Sequence, residues 1–180
     1  MPTHILSGWV VGNVFPLRPR ERLMCMIAAT IPDVDGLGIL FGQAAYERWH
    51  HVAGHGLPFC LVVCALMTAF TRRKPLQRVL LLVLLTACFH LHLLMDYHGS
   101  GPGWPIVYFW PLSDFKFVNW DSWELSSWQN QLTALVLLLV TVLIGWRRRR
   151  TPLEVLMPSL DAKFVGRRLA GETATRSFTE

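Results

Sequence analysis

The chain has little charge. Of its 180 residues only 16% are Asp, Glu, Lys or Arg while 52% are hydrophobic, a balance that excludes an ordinary soluble domain. Cysteine is sparse: the four present, Cys25, Cys60, Cys64 and Cys88, all fall inside apolar stretches. No Cys-x-x-Cys spacing occurs, so they read as small core residues and not as a disulfide framework. Neither a Gly-x-Ser-x-Gly elbow nor a Gly-x-x-x-x-Gly-Lys loop is present, which leaves a serine hydrolase or a nucleotide-driven enzyme without support. No secretory signal peptide is read either, because Arg18, Arg20 and Arg22 follow the first apolar stretch instead of preceding it.

What the chain does have is apolar runs: Leu57 to Phe70, Val79 to Met95 and Leu132 to Trp146. A bilayer core about 30 Å thick needs roughly 20 helical residues, and the second and third runs with their flanks meet that length. The first run reaches it when extended back through His55 and Gly56. Ile5 to Phe15 and Leu23 to Ile31 are too short to span alone; they read as a helical hairpin buried against the others or as short spans in a thinned region. Gly8 and Gly12, four apart, would let two helices approach closely in lipid. The expected fold is all-α, a polytopic membrane bundle of about five membrane-embedded helices over residues 1–150. A cytoplasmic, partly disordered tail is expected over 151–180.

Basic residues gather at Arg18/Arg20/Arg22, at Arg72/Arg73/Lys74 with Arg78, and at Arg147 to Arg150. The positive-inside rule places all three clusters in the cytoplasm, together with the C-terminus. The N-terminus and residues 32–56 and 96–128 then fall outside. Asp33, Asp35, Glu47, Asp96, Asp114, Asp121 and Glu124 land on that outer side, as do His4, His50, His51, His55 and His98, with His90 and His92 one to two turns below. Trp104, Trp110, Trp120, Trp123 and Trp128 lie there too, at the headgroup level Trp prefers. The net charge of +5 is accounted for by cytoplasmic anchoring, so the expected partner is the lipid bilayer and no nucleic acid is implied.

Four separate segments bring candidate metal ligands to this one side: His4; Asp33 and Asp35 behind Pro32; His50, His51 and His55; and His92 with Asp96. His92 and Asp96 are spaced i, i+4 and share one helical face, and His51 and His55 have the same spacing if their helix begins early. Extended geometry after Pro32 would splay the two aspartates, to serve one metal each or to leave one of them orienting a ligand of the other's metal. His90 lies about 160° around the helix from His92 and is expected to face a neighbouring element. Mixed His and carboxylate ligation suits zinc, manganese or iron better than magnesium or calcium, and one or two ions are compatible with the number of donors.

These residues resemble the YdjM-like family of membrane-bound metal-dependent hydrolases, also described as LexA-binding and inner-membrane-associated. That family shows an early His followed by Gly, then Pro-Asp-x-Asp, a His-Arg-x-x-Thr-His-Ser segment, His-x-x-x-Asp, and a Gly-rich stretch ending in aromatic-Pro. Here the counterparts are His4 with Gly8, Pro32 to Asp35, His50 with His55, His92 with Asp96, and Gly103 leading to Trp110-Pro111. The chain departs from the pattern at His51 (Arg in the family), Gly54 (Thr), Gly56 (Ser) and Gly99 (Thr).

The resemblance implies a hydrolase of the bacterial inner membrane that acts at the outer face on an ester or phosphoester, with a lipid-like substrate as one candidate. A zinc or manganese ion would be held by Asp33, Asp35, His50, His55, His92 and Asp96, with His4 as ligand or base. His51 or His98 would give the leaving group its proton. The alternative is a non-enzymatic membrane protein with a structural or transported transition metal; ligands gathered at one end speak against transport.

Overall fold

In a computed structural model residues 2–166 are described, and helices dominate them. The order is α1 (Pro2–Val14), α2 (Pro19–Ala28), a 3-10 helix (Ile31–Phe41), α3 (Gln43–Trp49), α4 (Leu57–Ala69), α5 (Pro75–Gly99), β1 (Pro105–Ile106), β2 (Phe117–Val118), α6 (Trp128–Arg148) and α7 (Pro158–Val165). Proline opens most of these elements: Pro19, Pro58, Pro75 and Pro158 sit at first-turn positions, where a missing N–H costs no hydrogen bond. Glu21 closes the start of α2 by accepting the backbone N–H of Arg18 at 2.7 Å.

Among the described residues α5 and α6 are long and apolar enough to cross a membrane. Helix α2 and the 3-10 helix form a third candidate, bent by 52° at their junction. With 13 residues each, α1 and α4 fall short of a span. The chain therefore carries two or three candidate spans by length and composition, and the expected count of about five is not reached on those grounds.

The core lies between α2, α4 and α5, where Cys25, Ala28, Ala29, Cys60, Cys64, Leu85, Cys88 and Phe89 are wholly buried. All four cysteines are free, small buried residues. Helix α6 lies against α1 and buries only Thr141 and Gly145, so its apolar surface faces outward, as expected of a helix solvated by lipid. Helix α1 approaches α2 closely enough at Gly8 that a Cβ there would stand 2.5 Å from the Cys25 carbonyl oxygen and 2.8 Å from Cα of Met26. At Gly12 the nearest contact would be 3.3 Å, to Arg22.

Two ion pairs tie the basic end of the bundle together. Arg22 makes a two-pronged contact with Glu154, 2.6 Å at each prong, and Arg73 makes one with Glu21 at 2.6 and 2.5 Å. The first pulls the segment after α6 beneath the helices, where buried Asp161 accepts the N–H of Thr151 at 2.5 Å. Residues 151–166 of the expected tail thus fold back on the bundle, and 167–180 lie outside the described residues.

The Gly8 contact generates a test. Gly8→Ala forces backbone against backbone and should destabilise the protein by on the order of 1–3 kcal/mol, lowering the midpoint of thermal unfolding in detergent, whereas Gly12→Ala should cost less. Equal midpoints for Gly8→Ala and the parent would show that α1 and α2 do not meet there.

Candidate metal centre

Helix α5 supplies the fixed side of the site. His92 and Asp96 are one turn apart, and Nε2 of His92 lies 3.0 Å from Oδ2 of Asp96. Around them close two segments with little room for side chains. Behind Pro32 the backbone is a 3-10 helix, not the extended strand expected, yet about 120° per residue still turns Asp33 and Asp35 to different sides. Asp33 Oδ1 faces Nε2 of His92 at 3.6 Å and Nε2 of His55 at 4.0 Å. Asp35 faces away from these atoms and accepts from the Gly54 N–H at 2.9 Å.

The segment 50–56 is a loop, because His51 sits at φ +65° and α4 begins only at Leu57. The expected helical pairing of His51 with His55 is therefore replaced by loop geometry, and the two rings approach to 4.3 Å by a turn of the backbone. Gly54 permits this. A Cβ there would fall 2.1 Å from the Pro32 carbonyl oxygen, so no larger residue fits the loop against the 3-10 helix on this backbone.

Hydrogen bonding decides which nitrogens are available. Nδ1 of His92 lies 2.9 Å from the carbonyl oxygen of Ala29, which can only accept, so Nδ1 carries the proton and Nε2 presents its lone pair. Nδ1 of His55 lies 3.0 Å from Oδ2 of Asp35, which leaves Nε2 as the nitrogen that faces the cluster. The two Nε2 atoms face each other at 3.2 Å, and Nε2 of His55 also lies 3.2 Å from Asp96 Oδ2. Two Nε2 atoms and two carboxylates pointed at one spot call for positive charge there, a proton on His55 or a metal ion.

The donors Asp33, His55, His92 and Asp96 each offer an atom within 4.8 Å of the others. In a tetrahedral site with bonds near 2.1 Å the ligand atoms stand about 3.4 Å apart. The separations from His92 and His55 to the carboxylates, 3.0 to 4.0 Å, bracket that value. These residues therefore fit a small divalent ion. Burial opposes a charged His55, yet the bonds to Asp35 and Asp96 outweigh it and hold the ring's pKa up at about 9, so a metal taken at Nε2 would displace a proton there.

The other expected ligands are placed differently. His50 binds Asp35 through Nδ1 at 2.9 Å and stacks on Tyr46, so it steadies the aspartate that orients His55 and stands one residue removed from the cluster. His4 and His51 point Nε2 at Asp96, at 3.3 Å from Oδ1 and 3.5 Å from Oδ2. Nδ1 of each is buried with no hydrogen-bond partner among the described residues. A ligating imidazole normally has that second nitrogen anchored, so both rings fit better as Nε2–H donors to Asp96. Burial, and then the charge on His55, push the pKa of His51 down to about 3, so it is neutral near pH 7.

His98 is turned about 200° from Asp96 around α5 and stacks on Trp123 with ring centroids 5.7 Å apart. It is not brought to the cluster. His90 bonds the Thr86 carbonyl and the Tyr108 hydroxyl, facing a neighbouring segment as its helical angle implied. Sequence reasoning did not find the Ala29 carbonyl or the Gly54 N–H, and it placed Trp104 on the outer side without its contact to His51, whose ring lies 5.6 Å away. Backbone groups leave no residue-type signal.

The ligand assignment has a direct check in the metal content of purified protein. His55→Ala and Asp96→Ala should each lose bound metal, and His90→Ala should keep it. Asp35→Asn, which weakens the orientation of His55, should lower affinity by about 10- to 100-fold. Equal retention by all four would mean that the histidines only pack.

No curated protein and no solved structure matches this chain. A family model does, that of the YdjM inner membrane protein, and it covers residues 1–164 of the 180. With the early His, the Pro-Asp-x-Asp turn, the His-rich loop and the His-x-x-x-Asp helix end drawn together at one end of an apolar helical bundle, the chain belongs to the YdjM inner membrane protein family.

Proposed function

We propose that this protein is a metal-dependent hydrolase acting on a phosphoester or carboxylic ester at the outer face of the inner membrane. The observation that supports it most is the pair of facing Nε2 atoms of His55 and His92, each turned to the cluster by an anchored Nδ1. A zinc or manganese ion held there would lower the pKa of a bound water towards 7 and polarise the scissile group. Asp33, His55, His92 and Asp96 hold the ion in this reading, and Asp35, itself held by His50, fixes the His55 ring.

His51 has a narrower role than proton transfer. Being neutral, it has no spare proton to give, but its Nε2–H, held by Asp96 only at 3.5 Å, can turn to an oxygen that gains negative charge. His4 approaches Asp96 from the α1 side and keeps that carboxylate in place.

A lipid substrate is favoured by the surroundings. Exposed Leu37, Leu40 and Phe41 lie on the 3-10 helix that carries Asp33. Exposed Leu112, Phe115 and Trp120 lie in the segment that follows β1 and carries the β2 strand. Orientation follows from charge: Arg18, Arg20, Arg72 and Arg147 to Arg150 belong to the ends of helices opposite the cluster, which the positive-inside rule assigns to the cytoplasm with the C-terminus.

A second reading has its own observation. Four protein donors, with His55 and His92 wholly buried, also suit a closed site in which a metal only ties α5 to the two loops. The two readings diverge under chelation. Hydrolysis of an activated phosphoester in detergent or lipid should be slow, lost with chelator, restored by zinc or manganese, and should rise with pH through about 7. His51→Ala should lower kcat by about a hundredfold at full metal content, and His51→Gln, which keeps an N–H donor, should lower it less. Loss of thermal stability on chelation without chelator-sensitive turnover across a broad ester panel would decide for the structural metal.

Topology is tested separately. A reporter active only outside the cytoplasm should be active when fused near Gly101 and silent at Thr151; the reverse pattern would invert the orientation.

A further inference from the structure

At the end of the bundle away from the metal centre, a cavity of about 1070 Å³ opens between the start of α2, the end of α4 and the segment after α6. Its rim carries three exposed arginines, Arg18 and Arg20 at the α2 end and Arg72 after α4. The Arg18 guanidinium reaches the carbonyl oxygen of Arg72 at 3.5 Å, so the two lie on one edge.

The acids in this cavity do not neutralise that rim. Glu21 is taken by Arg73 at 2.6 and 2.5 Å and by the backbone N–H of Arg18. Glu154 is taken by both prongs of Arg22. Each carboxylate thus already has its own guanidinium, and no side-chain ion pair joins Arg18, Arg20 or Arg72 to an acid among the described residues. Three positive charges are left facing one opening.

Above the rim the wall changes character. Met24 lies further along α2 towards the metal end, and Met67 lies one turn up α4 from Phe70, which is 86% exposed. The cavity is therefore cationic at the membrane surface and apolar towards the membrane interior. A soluble phosphate would leave the apolar wall bare, and a nucleic acid would need a wider basic face than three arginines.

We propose that this cavity binds one anionic phospholipid of the inner leaflet, its phosphate on Arg18, Arg20 and Arg72 and the start of an acyl chain along Met24, Met67 and Phe70. Guanidinium groups pair with phosphate oxygens through two parallel hydrogen bonds, which makes arginine the fitting residue type at the rim. Basic pockets between membrane helices on the cytoplasmic side are recurrent sites for such headgroups. The bound lipid would brace the α1–α2 turn against the α4–α5 turn, the two turns that Arg73 and Glu21 already connect.

The test reconstitutes the full chain in nanodiscs of equal parts phosphatidylglycerol and phosphatidylcholine, extracts it gently, and counts retained lipids by native mass spectrometry. The parent protein should retain one phosphatidylglycerol in preference to phosphatidylcholine. Arg18→Gln/Arg20→Gln/Arg72→Gln should lower that retention by on the order of a hundredfold, since each arginine contributes roughly a factor of five near a membrane surface. Arg78→Gln, outside the cavity, should not. Arg20→Gln, which breaks no internal contact among those of the rim, gives an intermediate loss and shows that misfolding is not the cause. Phe70→Ser should weaken retention while an excess of glycerophosphoglycerol, the same headgroup without chains, fails to displace the lipid. Equal retention of the two lipids by the parent protein, or unchanged retention in the triple variant, would overturn the proposal. Displacement by glycerophosphoglycerol as effective as by the intact lipid would assign the cavity to a soluble phosphate instead.

Discussion

The structure depends on two imidazoles whose Nε2 atoms face each other. His55 and His92 come to 3.2 Å at Nε2, and neither can turn away, because each Nδ1–H is held by an acceptor, Asp35 for one and the Ala29 carbonyl for the other. Such a pair needs positive charge beside it, a proton on His55 or a bound metal. Asp33 and Asp96 supply the compensating negative charge, and the rings' complete burial removes the water that would otherwise solvate them.

Much of the fold can be understood as what brings these groups together. The end of α2 must reach α5 for the Ala29 carbonyl to meet His92, and buried small residues on α2, α4 and α5 allow that approach. The 3-10 helix must turn immediately after α2 so that Asp33 faces the Nε2 atoms while Asp35 reaches Nδ1 of His55. Gly54 must be bare for the histidine loop to lie on the Pro32 carbonyl. The opposite end is held by ion pairs, Arg22 with Glu154 and Arg73 with Glu21, so the bundle is polarised: a site built from His and Asp at one end, an arginine-rich face at the other.

Sequence made part of this legible. His92 and Asp96 lie on one uninterrupted helix, where spacing alone sets the face, whereas the extended geometry expected after Pro32 is replaced by a 3-10 helix. The three histidines of the loop could not be sorted in the same way. His51 takes a left-handed backbone conformation that no periodicity announces, and that single turn sends His50 to Asp35 while His55 enters the cluster. Gly54 and Gly56 stand where the related pattern has hydroxyl residues; in the structure the first of these glycines is a steric need, with 2.1 Å between its would-be Cβ and the Pro32 oxygen. The number of spans was less legible still, since α1 and α4 are apolar enough to be embedded yet too short to cross by the length criterion.

The central claim is that His55 and His92 share one metal through Nε2 with Asp33 and Asp96. X-ray absorption spectroscopy at the metal edge of purified protein tests it most directly. The account predicts two imidazole nitrogens at about 2.0–2.1 Å with carboxylate oxygens at about 2.0–2.2 Å and no sulfur scatterer, despite four cysteines in the core. Sulfur ligation, a single imidazole, or protein that carries no metal after reconstitution would contradict it.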